Sequence, residues 1–259
     1  MRGKGKEKWK KEYEAYRLLL RSLPGTVTAL FVLSVFAMNL LANKSITLPV
    51  SWLALDAGIV VSWFAFLSMD MLTKHFGPKA ATQVSVTAIA LNLLFCLLMY
   101  IGSRIPGVWG ESYVPGSEAL INTALDNTFG GTWYVLAGST LAFAVSAVVN
   151  NFSNFGIGRL LRGNPDGVAA YILRSWISTA LGQFVDNLVF ALTVSHVFFG
   201  WTLLQCVSCA LTGMVAELLC EMLFSGIGYA VCRRWKREGV GAAYFACVRD
   251  GAEQDGAGR

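Results

Sequence analysis

Six stretches of this chain, at about residues 26–43, 51–71, 80–101, 131–155, 170–196 and 200–231, are each long and apolar enough to cross a hydrocarbon core of roughly 30 Å. No other feature limits the fold so tightly. In lipid the backbone N–H and C=O groups must be satisfied internally, which leaves only helices and closed barrels. Runs of about 20 apolar residues suit the helix. The expected fold is therefore all-α: a polytopic membrane protein of six transmembrane helices. Composition agrees, since only 14% of the residues are charged, against roughly 25% in soluble domains.

The few charges orient the segments. With the N-terminus inside, the outer connectors hold Lys44 and Arg104, and the inner segments hold the other nineteen lysines and arginines. These include Lys74, Lys79, Arg159, Arg162 and the cluster Arg233-Arg234-Trp235-Lys236-Arg237. Positive residues stay on the cytoplasmic side, so both termini are expected there. Residues 1–25 are basic and interrupted by Trp9, Tyr13, Tyr16 and Leu18 to Leu20, which predicts an amphipathic helix lying on the membrane surface. Residues 26–232 form the six-helix domain, with an exposed outer loop at 102–130 marked by Pro106, Gly107, Gly110, Pro115 and Gly116. The tail, 233–259, turns polar and glycine-rich from Gly239 and is expected to lack order. The net charge of +5 then reflects topology and contact with anionic lipid head groups, and no nucleic-acid partner is expected.

Polar side chains inside such segments mark function. Thr179, Gln183, Asp186 and Phe190 fall within roughly 60° of one another on a helix, which makes a polar stripe on a spanning segment. Arg174 lies about 140° from that stripe and is expected to anchor the cytoplasmic end. In the fourth span Ser139, Phe143, Ser146, Asn150 and Asn154 share a face; in the sixth, Gly213, Glu217, Glu221, Phe224 and Gly228 do. Trp63, Phe66 and Asp70 coincide in the second span, and Asn39 and Asn43 are four apart in the first. Serines and glycines at such positions commonly serve helix packing. Buried carboxylates are costly enough to need partners or a function, so Asp186, Glu217 and Glu221 are candidates with Asp70.

No catalytic arrangement accompanies them. His75 and His196 are solitary, and no nucleophile elbow or phosphate-binding glycine loop is present, so no enzyme activity, metal or cofactor is expected. Cys206 and Cys209 form a C-x-x-C with no second pair, and read as packing residues. What remains is hydrogen bonding plus stacking. Carboxylates, amides and aromatic rings in a membrane cavity suit a flat heterocycle with donor and acceptor edges.

Three stretches resemble the queuosine precursor transporter family of vitamin-uptake-like carriers. They are Asn39-Leu-Leu-Ala-Asn43-Lys44, then Asp70-Met-Leu-Thr73-Lys74-His75-Phe76-Gly77, and, most specifically, Arg174, Ser178-Thr179, Gly182-Gln183, Asp186 and Phe190. The likeness extends over nearly all of residues 27–235. It implies a carrier in the bacterial cytoplasmic (inner) membrane importing a small heterocycle, a 7-deazaguanine (cyano or aminomethyl) or queuine, for tRNA modification. The substrate-binding set would be Asp186, Gln183, Thr179, Asn43, Asn39, Asp70, Asn150, Glu217, Glu221, Trp63 and Phe190. Membrane lipids, a second copy of the chain or separate coupling subunits are its compatible partners. A substrate-binding subunit of an energy-coupling-factor transporter for another heterocyclic vitamin is the alternative, followed by a membrane scaffold or a lipid-acting enzyme.

The chain departs from the family pattern at Ala147 and Asn150, where many relatives have Gln and Asp. Lys74 stands where an acid is usual and Glu217 where a lysine is usual. That paired reversal predicts an ion pair between Lys74 and Glu217, or else a Glu217 carboxylate offered to a cationic substituent of the substrate such as an aminomethyl group.

Overall fold

The computed structural model describes residues 2–110, 116–160 and 168–256. The elements in order are helices α1 (Arg2–Ser22) and α2 (Gly25–Leu41), strands β1 (Ser45–Ile46) and β2 (Leu55–Asp56), then α3 (Ile59–Phe76), α4 (Pro78–Arg104), α5 (Glu118–Gly130), α6 (Trp133–Leu160) and α7 (Val168–Phe190). A π-helical turn (Ala191–Ser195) leads into α8 (His196–Phe199), followed by α9 (Leu203–Glu238) and α10 (Ala242–Gly256). The chain is an all-α membrane protein. Among the described residues Pro78–Arg104, Thr179–Phe199 and Leu203–Phe224 are long and apolar enough to cross a bilayer, and α1 with α2, bent by 99°, would make a fourth. In α4 the side chains of Leu91, Leu93, Leu94, Leu97 and Leu98 are exposed while Ala88, Asn92 and Cys96 are buried. An apolar outer face with a polar group inside is the reverse of a soluble helix and matches lipid as solvent.

Three expectations need correction. The second span does not begin near 51. Residues 45–56 form a short antiparallel hairpin, pairing Ser45 with Asp56 and Ile46 with Leu55, and the helix starts at Ile59. Asp56 accepts a 2.8 Å bond from the Gly58 N–H and so stops the strand and starts the turn into α3. The hairpin is tied to α9, where Ser208 Oγ donates to the Trp52 carbonyl at 2.8 Å and Gln205 Nε2 to that of Ser51 at 2.9 Å. The outer loop 102–130 is not wholly loop, because Glu118–Gly130 is helical. The tail expected to lack order carries α10, whose Tyr244 and Phe245 supply the apolar contacts that a glycine-rich composition hides.

The chain divides into two compact units. The first comprises Met1–Leu33, Phe64–Ala88 and Phe224–Arg259. It holds sixteen Lys and Arg against eight Asp and Glu, a net +8. Here α1 packs on α10, Leu19 is fully buried, and Tyr16 and Thr87 share a 2.6 Å hydroxyl bond. Trp9 and Tyr13, one turn apart, face outward. Phe76 stacks on Phe245 with centroids 5.8 Å apart, and His75, Trp235 and Tyr244 complete the aromatic cluster. Gly239 (φ +66) closes α9 and Gly241 (φ +85) opens α10 in left-handed conformations; a Cβ on Gly241 would come within 2.6 Å of Phe76 Cε1.

The second unit, Ser34–Trp63 with Ile89–Leu223, carries five basic residues against eight acidic ones, a net −3. α6 packs along α7. Ala42, Val135 and Val194 form one apolar cluster with Tyr134, Phe190 and Phe199 against it. Ala54, Ala191, Trp201, Cys206 and Cys209 form a second. Both cysteines are buried and free, and Cys206 Sγ lies 3.4 Å from the Ala191 carbonyl, which fits their reading as packing residues. Gly138 lets α6 approach the π-helical turn, since a Cβ there would overlap Val194 Cγ2.

Candidate functional site

The second unit contains a buried polar network built by α3, α6, α7 and α9. Glu217 of α9 is only 3% exposed and each carboxylate oxygen has a donor. Ser62 Oγ of α3 donates to Oε1 at 2.6 Å, and Asn187 Nδ2 of α7 donates to Oε2 at 3.2 Å. Gly213, one helical turn before Glu217, makes room for this: a Cβ there would stand 2.9 Å from Asn187 Nδ2. Beside Asn187 in the chain, Asp186 accepts a 2.9 Å bond from Ser146 Oγ of α6, a hydroxyl that also lies 3.1 Å from the Phe143 carbonyl. The donors holding both carboxylates are neutral, so the network concentrates acidity in an apolar setting, which is costly unless a donor-rich group or a proton offsets it.

Gln183 is the outlier. It is 3% exposed, one turn before Asp186 and Asn187 on α7, yet neither its Nε2 nor its Oε1 has a hydrogen-bond partner among the described residues. Burying an unpaired amide costs roughly 2–7 kcal/mol depending on the reference state. Buried amides are ordinarily satisfied, so one with both ends open, one turn from Asp186 on the same helix, makes Gln183 a candidate for a ligand contact.

The remaining candidates separate by what they already bond. Asn39 Nδ2 donates to the Val35 carbonyl at 3.0 Å, within its own helix. Asn43 caps the end of α2 through a 3.1 Å bond to the Leu40 carbonyl, and its Oδ1 accepts from the Tyr134 hydroxyl at 3.1 Å. Trp63 directs its indole N–H to the Val60 carbonyl at 2.9 Å, and Phe190 packs on the Ala42–Val135–Val194 cluster. These four are engaged in holding the fold. Thr179 is half-buried on α7, on the side of the helix that carries Gln183. The candidates Asp70, Asn150 and Glu221 have side chains outside the described residues. Lys74 is exposed in the last turn of α3, while Glu217 takes its bonds from Ser62 and Asn187. Neutral hydrogen bonds thus occupy the carboxylate that was expected to pair with the lysine.

Ser62 and Asn187 escape a reading of the sequence. Ser62 is one hydroxyl in an apolar run, and Asn187 stands about 80° from Thr179, at the edge of the stripe. The one available signal for Asn187 is that it follows Gln183 by four residues.

A family model described as "Putative vitamin uptake transporter" matches residues 56–231. No curated protein and no solved structure matches the chain. The matched region runs from the end of the hairpin almost to the end of α9 and contains every member of the network: Ser62, Ser146, Gln183, Asp186, Asn187 and Glu217. With 176 of its 259 residues matched, the chain belongs to this family of vitamin uptake transporters.

Proposed function

We propose that this carrier imports a queuosine precursor, a 7-deazaguanine or queuine, through the bacterial cytoplasmic membrane for tRNA modification. Six crossings would be made by α2, α3, α4, α6, α7 with α8, and α9, leaving both termini in the cytoplasm. The basic first unit supports that orientation. The substrate reading rests above all on Gln183, a buried amide with donor and acceptor both open among the described residues, one helical turn from Asp186 and from Asn187, which bonds Glu217. A deazaguanine offers the complement. Its exocyclic amine can donate to a carboxylate, and its carbonyl can accept from an amide N–H. Among the described residues Asp186 is held by the Ser146 hydroxyl, and it keeps acceptor capacity for this.

The test is direct binding by the purified protein of the cyano compound, the aminomethyl compound and queuine, with guanine as control. A ligand at a hundredfold excess over Kd stabilises by about 2.7 kcal/mol and raises Tm. Gln183→Leu should weaken binding by about 1–3 kcal/mol, roughly tenfold to hundredfold, without lowering the Tm of the ligand-free protein. Unchanged affinity in Gln183→Leu, or no binding of any of the three precursors, would refute the reading.

A further inference from the structure

Gln183 is not alone among the described residues in having an open amide. Asn92 of α4 is 1% exposed, and neither its Nδ2 nor its Oδ1 has a partner. It belongs to the second unit, as Gln183 does. It stands fourteen residues after Pro78 and twelve before Arg104, so about 21 Å and 18 Å of helical rise separate it from the two ends of α4. That is the middle of the span, where no water competes for its bonds. Its helical face is the buried one, between Ala88 and Cys96, while its chain neighbours Leu91 and Leu93 point outward. Three residues on, Phe95 stacks on Phe36 of α2 with centroids 5.0 Å apart and planes 15° from parallel. A side-chain amide presents an N–H and a C=O side by side, and the group that satisfies both at once is the –NH–C=O edge of a lactam in a planar ring. Aromatic faces one helical turn away suit the same planar ring.

We infer that Asn92 is a second substrate-recognition residue, reading the lactam edge of the transported ring from α4. Its side chain takes one bond from the ring N–H and gives one to the ring carbonyl, and it sets specificity against rings whose lactam edge is blocked. The inference rests on the proposed uptake of a heterocycle, though not on which heterocycle that is.

The experiment uses the full chain in lipid nanodiscs. It measures affinity for 7-deazaguanine, for its ring-N-methylated lactam analogue, and for two unrelated lactam rings, a pterin and lumichrome, together with the ligand-free Tm. Wild-type protein should prefer the unmethylated lactam by more than tenfold. Asn92→Leu, close in size and without the open amide, should abolish that preference, weaken lactam binding at least tenfold and leave the ligand-free Tm unchanged or higher. Equal affinity and equal preference in Asn92→Leu, with wild-type protein binding the deazaguanine, overturns the inference and leaves the transport reading intact. Asn92-dependent binding of a pterin or lumichrome but not of deazaguanine sinks the queuosine reading and sustains the inference. Binding of none of the rings sinks both. A ligand-free Asn92→Leu less stable than wild type also overturns the inference, since the amide would then be satisfied within the protein.

Discussion

Removing the Ser62 hydroxyl tests how the buried carboxylate is held. Ser62→Ala deletes one methyl-sized polar group and takes the 2.6 Å donor from Glu217 Oε1, leaving Asn187 alone on the other oxygen. Two magnitudes compete. Side-chain hydrogen bonds between membrane helices average about 0.6 kcal/mol, because the unfolded chain in lipid also finds partners. Bonds to a charged group are worth about 1.5–3 kcal/mol, and an acceptor stripped of a donor in a dry site keeps its desolvation cost. Glu217 is 3% exposed and each of its oxygens has one protein donor, so with the carboxylate ionised the larger figure should hold. Ser62→Ala should therefore lower stability by about 1.5–3 kcal/mol, which for a chain of this size is a fall in Tm of roughly 3–12 °C. A double-mutant cycle with Glu217→Gln, read by thermal unfolding in nanodiscs, isolates the pair. The serine substitution should cost less than about 0.6 kcal/mol once the acid is gone. A coupling energy under about 0.5 kcal/mol would show that Ser62 contributes packing alone, and the argument for a hydrogen-bonded carboxylate at this position would fail.

Two further outcomes follow from close contacts outside the network. Gly138→Ala places a methyl group on Val194 Cγ2 and should cost about 1–3 kcal/mol by overpacking; Val194→Ala should cost less in that background than alone, and additive losses in thermal unfolding would rule the clash out. Burial pushes the Asp56 carboxyl up to about 6, against the opposing pull of its bond from the Gly58 N–H. Because the folded value exceeds the unfolded one of about 3.9, the native state binds the extra proton, and stability falls as pH rises between about 4 and 6. Asp56→Asn keeps the acceptor for Gly58, so it should raise Tm above pH 6 and leave it unchanged below pH 4. Equal pH profiles for the two proteins would contradict the assignment.

Much of the fold is written in the hydrophobic runs, because lipid enforces helices and a run of some 20 apolar residues has no other solution. The hairpin at 45–56 is the exception. Its Trp52, Leu53, Ala54 and Leu55 are apolar enough to extend the second span on paper, but Ala54 and Leu55 pack in an apolar cluster with Cys206 and Cys209, Leu55 pairs with β1, and the Trp52 carbonyl accepts a bond from α9. Hydropathy cannot distinguish apolar surface buried in lipid from apolar surface buried in protein. The same ambiguity hides α10, where two aromatic residues among glycines and charges find the Phe76–Trp235 cluster only through the fold. At the candidate site, helical periodicity does put Gln183 and Asp186 on one face. It is silent about Ser62, because a membrane serine can as well bond its own helix, and Ser62 Oγ does lie 3.3 Å from the Ile59 carbonyl.

A list of polar residues in membrane helices mixes those that close the protein's own hydrogen bonds with those left open for a ligand, and burial alone does not separate them. Asn39 and Gln183 are equally buried, at 3% exposure, but Asn39 Nδ2 is bonded to its own helix while Gln183 has both amide atoms open. Replacing Asn39 should therefore act first on the ligand-free fold, and replacing Gln183 first on affinity. The carboxylates fall between the two. Among the described residues Glu217 has a donor for each oxygen, whereas Asp186 has one for Oδ1 from a hydroxyl it shares with a backbone carbonyl. A substrate amine should thus be held by Asp186, with Glu217 fixing Asn187, and through it the α7 segment that carries Gln183 and Asp186. Conservative replacement orders them: Asp186→Asn should lose more affinity than Glu217→Gln, and Glu217→Gln more stability than Asp186→Asn. The reverse order in parallel binding and unfolding measurements would exchange the two roles.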